Sequence, residues 1–545
     1  MARRYLFGPV TPAFADQNLN AQRQVGDCLA FDPGDTTDLA IAPGDSWEAV
    51  TERLPRGWRP DFIVLYLPYT TIPKCLWTAP VPLIGLAADW NLLWHALRRR
   101  LRSCDLVLTD PAGVDALQRA GIDHVRAANL FGCERSFLEE GEAAAGKDID
   151  VLFVGNLQPA VQRERLPWLA RLSRLSERCN VCIRTGVFGA DYRELLGRSR
   201  IVFNRGIRGE GNRRVFEAAC AGALLFQEEG NSEVPSYFRD RQECVYYNAD
   251  NLETRLEYYL EHEKERRGLA EAARAKVPAF SFESLWEDYL RLIDFESEAL
   301  AERARQRPTL DTMDELLART WQALGSTDEP EPSLVRDLAA ALVAQPQSPS
   351  LHNALGLAVA LTSRRRSPIT AAVAQKAAGY FQRAVAADPS HVVAGLNLVE
   401  ALVGMQQTPK AIEQAQRTLA ALERQKELDP VMLDSGHFPP AFDHFRVEWE
   451  RAAWINAGQP DGEARAKRDL LRWRLHLILA ELTGSLAHYY EAAMARPDLP
   501  ITHAALGHAL ARANEPTEAV IHLRRALEGN PFDLDSSRAL FQVLG

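Results

Sequence analysis

The chain has 545 residues, 46% of them hydrophobic and 25% charged, with a formal net charge of -10. A single core rarely grows past roughly 250–300 residues, so more than one domain is required, and this composition excludes a chain disordered throughout. The acidic balance argues against a general nucleic-acid-binding surface.

No apolar run approaches the ~18 residues of a membrane span. The start, "MARRYLFGPVTPAFADQN", meets Pro9, Pro12 and Asp16 before any signal-peptide core builds up, so a cytoplasmic location is expected. All eight cysteines lie between Cys28 and Cys244 and read as reduced thiols. The pair Cys179 and Cys182 has no second pair at zinc-ligand spacing and reads as ordinary thiols beside a strand.

In chain order, "DFIVLYLPY" (61–69), "PLIGLAAD" (82–89) and "DLVLTD" (105–110) predict buried strands, apolar on both faces as parallel strands are. "NLLWHALRRRL" (91–101) and "PAGVDALQRAG" (111–121) predict the helices between them, giving an α/β unit with a parallel sheet. The pattern restarts at "DIDVLFVGNL" (148–157). It continues through a helix near "RERLPWLARLSRLSE", the strand "NVCIRTG", the helix "DYRELLGRS" and the strand "RIVFN" (200–204). Next come a helix over about 213–221, the strands "ALLF" and "VYYN" (245–248), and one long helix, "NLETRLEYYLEHEKERRGLAEAARAKV". The amphipathic helix "SFESLWEDYLRLIDF" (281–295) closes this second zone. Two consecutive Rossmann-like units imply a cleft between them.

From about residue 330 the chain is helical and rich in Ala and Leu. Leu506, Gly507, Leu510, Ala519, Leu523, Ala526 and Pro531 fall at tetratricopeptide-like (TPR-like) offsets. Leu355, Gly356, Ala377, Phe381, Ala384 and Pro389 repeat the pattern, with an inter-helix insertion around "RRRSPIT". Poorer copies contain Leu398, Leu402 and Ala411, then Tyr489, Ala492 and Pro497. The fold class expected is thus α/β followed by all-α. The expected domains are 1–140 and 141–296 (both Rossmann-like), 297–332 (a linker with a helical piece) and 333–545 (TPR-like repeats).

The stretch "RGEGNRRVFEAACAGALLF" carries the chemistry. Asn212 is a good N-cap and Gly222 a good C-cap. Arg213 and Arg214 then occupy the first two helical positions, where the helix dipole disfavours cations. They make sense if an anion such as a diphosphate sits there, because backbone N–H groups and guanidinium forks both bind phosphate oxygens. Arg205 and Arg208 add positive field, Gly211 lets the backbone approach a ligand, and Glu217, one turn on, can accept from vicinal hydroxyls. The plainer alternative pairs both arginines with Glu210 or Glu217 on a solvated surface.

These residues, with the following "SEVPSYFRDRQECVYYNADNLETRLEYYLEHEKERRGLA", resemble the nucleotide-sugar site of GT-B glycosyltransferases. The likeness is to the glycosyl transferases group 1 family and the spore-maturation (CgeB-like) group, and it covers about residues 1–296. By resemblance, Glu217 holds the nucleotide ribose and Glu210 acts near the transferred sugar, although their spacing is one residue shorter than in those enzymes. "DVLFVGNLQ" resembles the donor-side loop and places Gly155 and Asn156 near the diphosphate or sugar. "PLIGLAADWNLLWH" stands where related enzymes carry a His-Asp pair facing the acceptor. Here Asp89 follows Ala88, and His95 lies on the next helix, as a catalytic or a structural histidine. Gly8 and Gln17 mark the loop after the first strand.

The resemblance implies a metal-independent transferase. Arg214, Arg208, Arg213, Asn212, Gly211, Gly155, Asn156 and Glu217 would bind a nucleoside diphosphate-sugar as donor substrate, with Asp89, Glu210 and His95 as catalytic candidates. No cofactor, nucleic acid or membrane span is expected. The repeats would bind a protein or glycan acceptor or another partner. Two other readings stay open: a scaffold with an inactive transferase-like half, and a nucleotide-sugar epimerase on the same fold.

Overall fold

The computed structural model describes residues 3–139, 146–326, 332–362, 371–437 and 443–545. Seven strands build the first sheet: β1 (Tyr5–Gly8), β2 (Cys28–Asp32), β3 (Leu39–Ala40), β4 (Phe62–Tyr66), β5 (Leu83–Leu86), β6 (Leu106–Thr109) and β7 (Val125–Ala127). They pair in parallel in the order β3-β2-β1-β4-β5-β6-β7. Five more build the second: β8 (Ile149–Val154), β9 (Val181–Arg184), β10 (Ser199–Phe203), β11 (Leu224–Glu228) and β12 (Val245–Tyr247), in the order β12-β11-β10-β8-β9. These pairings are parallel too. Each sheet forms one lobe, and the order reverses at β1/β4 in the first and at β8/β10 in the second. Ligands of open parallel sheets bind beyond the carboxyl ends of the strands.

The near-continuous apolar runs are buried as expected: Ile63, Val64, Leu65, Val151, Leu152 and Phe153 are fully buried. Gly8 ends β1 where a Cβ would lie 2.3 Å from the Phe31 carbonyl oxygen on β2, so packing requires glycine there. The expected long helix after β12 is two helices, Leu252–Glu261 and Glu263–Lys276. His262 breaks it with ψ 64°, stacks on Tyr258 and bonds through its ring nitrogen to the Tyr258 carbonyl at 2.7 Å.

Two expected boundaries need correction. The helix Phe282–Phe295 packs on the first sheet, not the second. Trp286 is buried edge-on against Phe7, and its indole N–H donates to the Tyr5 hydroxyl at 2.8 Å. The apolar face of β1 and β4 is covered jointly by this amphipathic helix and by Phe14 and Ala15 of the helix Pro12–Asn18, Phe14 lying 5.8 Å from Phe7 and 5.6 Å from Phe282 between ring centroids. The stretch after it is not a free linker. Arg307 donates to the carbonyls of Ala79 (2.8 Å) and Val81 (2.7 Å) and pairs with Asp105. The helix Thr312–Gly325 lies against Trp94–Leu101, with Gly325 facing Leu93 and Trp321 fully buried.

The C-terminal region is helical, in antiparallel pairs such as Pro349–Leu361 with Ala371–Ala387 and Pro500–Arg512 with Pro516–Gly529. The small residues singled out in the sequence sit where these helices touch. A Cβ on Gly356 would lie 2.5 Å from Phe381, and one on Gly507 2.8 Å from Leu523. The "RRRSPIT" insertion lies outside the described residues. One continuous apolar cluster runs from the first lobe, through Trp94 and Trp321, into this helical region. Among the described residues no helix is long and apolar enough to cross a membrane.

Candidate functional site

A cleft of about 320 Å³ opens between the lobes, beyond the carboxyl ends of both sheets. The first lobe contributes Ala88, Asp89 and Asn91 after β5, Asp110 after β6, and Leu130 and Phe131 after β7. The second contributes the loop and helix start from Ile207 to Glu217, with Arg165, Tyr192 and Glu233.

The helix Arg213–Cys220 begins as the sequence predicts, with Asn212 extended (φ -147°, ψ 169°) at its N-cap position. Asn212 makes no side-chain cap bond. Its amide donates to Asn204 Oδ1 at 3.1 Å, and its own Oδ1 is buried with no hydrogen-bond partner among the described residues. The first-turn N–H groups are therefore not capped by Asn212.

The two arginines at the helix start serve different ends. Arg214 turns inward: Nε donates to the Val154 carbonyl at 2.9 Å, Nη1 to Asn204 Oδ1 at 2.5 Å, and the guanidinium lies over the Phe153 ring at 4.8 Å. A Cβ at position 155 would come within 2.5 Å of Arg214 Nη2, so Gly155 is the clearance this arginine needs. Arg213 pairs with Glu134, the first residue past the bridge between Cys133 and Ser281 where the chain passes between lobes. The surface pairing with Glu210 or Glu217 is not what the structure contains.

Glu217 is buried at 8% exposure, and its Oε2 accepts the Tyr192 hydroxyl at 2.7 Å. Burial raises its carboxyl above the ordinary range, against the pull of Tyr192, Arg213 and Arg214. Arg165 lines the same wall. It donates to the carbonyls of Asn156 (3.2 Å) and Arg205 (2.9 Å), and burial, followed by the nearby Arg214, lowers it to about 10. Both guanidiniums lie over the Phe153 ring, Arg165 at 5.5 Å and Arg214 at 4.8 Å, and two cations sharing one ring are an arrangement an anion relieves.

Glu210 lines the cleft with its carboxylate turned back on its own loop. Oε1 accepts the Ile207 N–H at 2.8 Å and Oε2 the Arg208 N–H at 2.7 Å. Gly211 donates its N–H to Glu233 at 2.7 Å, and a Cβ there would lie 2.9 Å from that carboxylate. Arg208 crosses to the other lobe. Its two terminal nitrogens reach Asp110 at 3.1 and 2.7 Å, and its guanidinium covers the Trp90 ring at 4.6 Å. Burial works against its charge, but Asp110 and Glu210 outweigh it and the net shift is upward.

Asp89 follows β5 with φ +49°, and Tyr69 faces it with φ +58°. Both are left-handed conformations that non-glycine residues rarely adopt, and such strain clusters at functional sites. The Tyr69 hydroxyl lies near the Asp89 carboxylate and favours its charged form. Burial raises Asp89 first, with Glu210 and Asp110 adding to it, while Tyr69 and Arg208 pull it back.

His95 is corrected: it does not reach the cleft. Its ring is fully buried, stacked on Trp321, with Nδ1 2.6 Å from Glu450 and Nε2 2.9 Å from Lys467. Burial, then Lys467, Arg98, Arg446 and Arg99, pushes it well below its ordinary value, so it is a neutral core histidine. Asn156 also lies off the cleft wall, its side chain accepting the Gln158 N–H at 3.1 Å in an Asx turn. Gln17 accepts the Ser136 N–H at 2.9 Å. Sequence reasoning missed Arg165, Tyr192, Glu233 and Asp110. Only Asp110, a strand-end carboxylate before Pro111, carried a visible signal.

Residues 134–291 match a family described as "Glycosyl transferase-like". No curated protein matches the chain. Among solved structures the chain is similar to a glycosyltransferase from Rickettsia africae, at 10% identity over 54% of this chain and 99% of that one, TM-score 0.38. It is similar to HepE of Anabaena, solved with UDP-glucose, at 14% identity over 54% of this chain and 100% of that one, TM-score 0.35. It is also similar to TarM of S. aureus, at 10% identity, TM-score 0.32, over 43% of this chain and 54% of that one. The chain thus spans about half the length of TarM.

Proposed function

We propose that the protein is a GT-B glycosyltransferase that moves a sugar from a nucleoside diphosphate-sugar to an acceptor hydroxyl. The observation that carries this is the start of the helix Arg213–Cys220. There Arg214 and Arg165 share the Phe153 ring, a buried Asn212 oxygen has no partner among the described residues, and a buried Glu217 waits one turn on, with Arg165, Asn212, Arg214 and Glu217 on one wall of the inter-lobe cleft. The match of residues 134–291 to a glycosyl transferase-like family supports the same reading.

In this proposal the diphosphate lies at the helix start, against Arg214 and Arg165, and Glu217 accepts from the ribose hydroxyls. The bond from the anomeric carbon to the diphosphate oxygen breaks, and the acceptor oxygen forms the new one. Arg214 and Arg165 stabilise the charge that grows on the leaving diphosphate, a role for preorganised cations that needs no metal ion. Asp89 takes the acceptor proton, and a carboxylate whose pKa burial raises holds that proton better than an ordinary one. Glu210 acts indirectly, by shaping the loop that carries Arg208. The CgeB-like subtype, a TPR-like helical region that holds an acceptor or partner, and a cytoplasmic location belong to the same proposal.

The test is calorimetric titration of UDP, GDP, ADP and dTDP, then their sugar conjugates, into wild type and Glu217→Ala. One nucleotide is expected to bind wild type and to lose about tenfold or more in the variant, the cost of one hydrogen-bonded charged partner. No binding to a folded wild type overturns the proposal.

A further inference from the structure

The helix His444–Ile455 touches both lobes beside the cleft. Toward the first lobe, Trp454 packs edge-on against Trp90 with ring centroids 5.4 Å apart, and Glu450 accepts the His95 N–H at 3.0 Å. Toward the second lobe, Val447 joins a small apolar group with Ala160 and Val161, and Leu92 of the first lobe completes it. Glu448, held by Arg496 at 2.7 Å, faces Arg163 at 3.4 Å. Arg451 faces Glu164 at 3.6 Å.

These contacts stop one or two residues short of the cleft. Trp90 follows Asp89, donates its indole N–H to Asp110 at 2.7 Å and lies under Arg208. Arg163 and Glu164 lead directly into Arg165. Lobes joined only at polar surfaces move relative to one another by default, whereas an apolar strut against both restrains them. Part of the ordering cost of a ligand that needs Arg165, Arg208 and Arg214 in register then falls on folding rather than on binding.

We infer that Trp454 and Arg163 are positioning residues through which the helical region fixes the spacing of the lobes and the placement of the loop 155–165, and so sets nucleotide affinity without touching the nucleotide. The inference rests on the donor-site reading above for its ligand, but its mechanical half stands apart from it.

The test compares full-length wild type with Trp454→Ala, Trp454→Phe, Arg163→Gln and Arg163→Lys. Hydrogen exchange without ligand follows peptides covering 155–165 and 204–214, with the helix Pro500–Arg512 as internal control. Calorimetry follows the nucleoside diphosphate that wild type binds. Trp454→Ala and Arg163→Gln are expected to speed exchange in both peptides, but not in the control, and to weaken the nucleotide about 5- to 10-fold. The Phe and Lys variants are expected to restore both readouts, which a loss of overall stability would not do. Unchanged exchange at both peptides in Arg163→Gln and in folded Trp454→Ala overturns the inference, as does faster exchange with unchanged affinity. If wild type binds none of the nucleotides, the donor reading fails, and the exchange data alone decide the strut in the same two directions.

Discussion

Gly155→Ala probes the donor wall at its tightest point. The added Cβ would sit 2.5 Å from Arg214 Nη2 and 3.0 Å from Phe153 Cζ. Phe153 is fully buried between its strand neighbours, so the arginine must give way. Arg214 is held by two bonds, to the Val154 carbonyl at 2.9 Å and to Asn204 at 2.5 Å, and moving the guanidinium loosens both. If one charge-assisted bond from Arg214 to the diphosphate is lost, the cost is about 1.5–3 kcal/mol, or roughly 10- to 150-fold in dissociation constant. Calorimetric titration with the nucleoside diphosphate reads this directly, with a thermal melt to show that the fold survives. Binding as tight as wild type in a folded Gly155→Ala would refute the placement of Arg214 against the diphosphate.

Four further outcomes follow from the same geometry. Glu217→Gln removes a carboxylate whose folded pKa is raised by burial. Such a group destabilises the fold progressively as pH rises above its unfolded value, so the variant should melt higher than wild type at pH 7, with the gain vanishing near pH 4, even as nucleotide affinity falls. Arg208→Gln breaks the bidentate bridge to Asp110 and should weaken the donor about tenfold while small-angle scattering reports a wider separation of the lobes. His391 is pushed down to about 4 by burial, and His95 and His437 also lie below their ordinary value, burial again first. As pH falls below about 6.5 the unfolded chain takes up protons the folded one refuses, so the melting temperature should drop between pH 7 and 5, less so in His391→Asn. Gly356→Ala gains helix propensity but drives a Cβ to 2.5 Å from Phe381, and overpacking of about 1–3 kcal/mol should win in a denaturant melt.

The parallel strands were legible because their residues are apolar on both faces, and the helix Arg213–Cys220 because its start and stop residues bracket it. The cations at that helix start pointed to an anion, and the cleft gathers Arg213, Arg214, Arg208, Gly211, Asn212, Glu210, Glu217 and Asp89. What stayed hidden is set by distance along the chain. Nothing local in "SFESLWEDYLRLIDF" tells which of two sheets its apolar face will cover. Arg165 and Tyr192 look like ordinary helix-end and helix residues until β8 and β9 bring them to one wall. His95 stays open between a catalytic and a structural role in the sequence, because the Glu450 and Lys467 that hold it in the core lie more than 350 positions away. The short strands β2, β3 and β7 are 2–5 residues long and give too few positions for a period to show.

The shared apolar cluster of the first lobe and the helical region bears on how the chain comes off the ribosome. The face carrying Trp94, His95 and Leu97 is made early, yet its cover from the Thr312–Gly325 and His444–Ile455 helices is made late, with Glu450 following His95 by 355 residues. At about 5–20 residues per second that interval is roughly 20–70 s. During it the second lobe, which has apolar clusters of its own, can close first. Synthesis order and folding order are therefore expected to part company: the N-terminal lobe finishes last, and a nascent chain released before residue 450 leaves an uncovered tryptophan-lined surface for chaperones to hold.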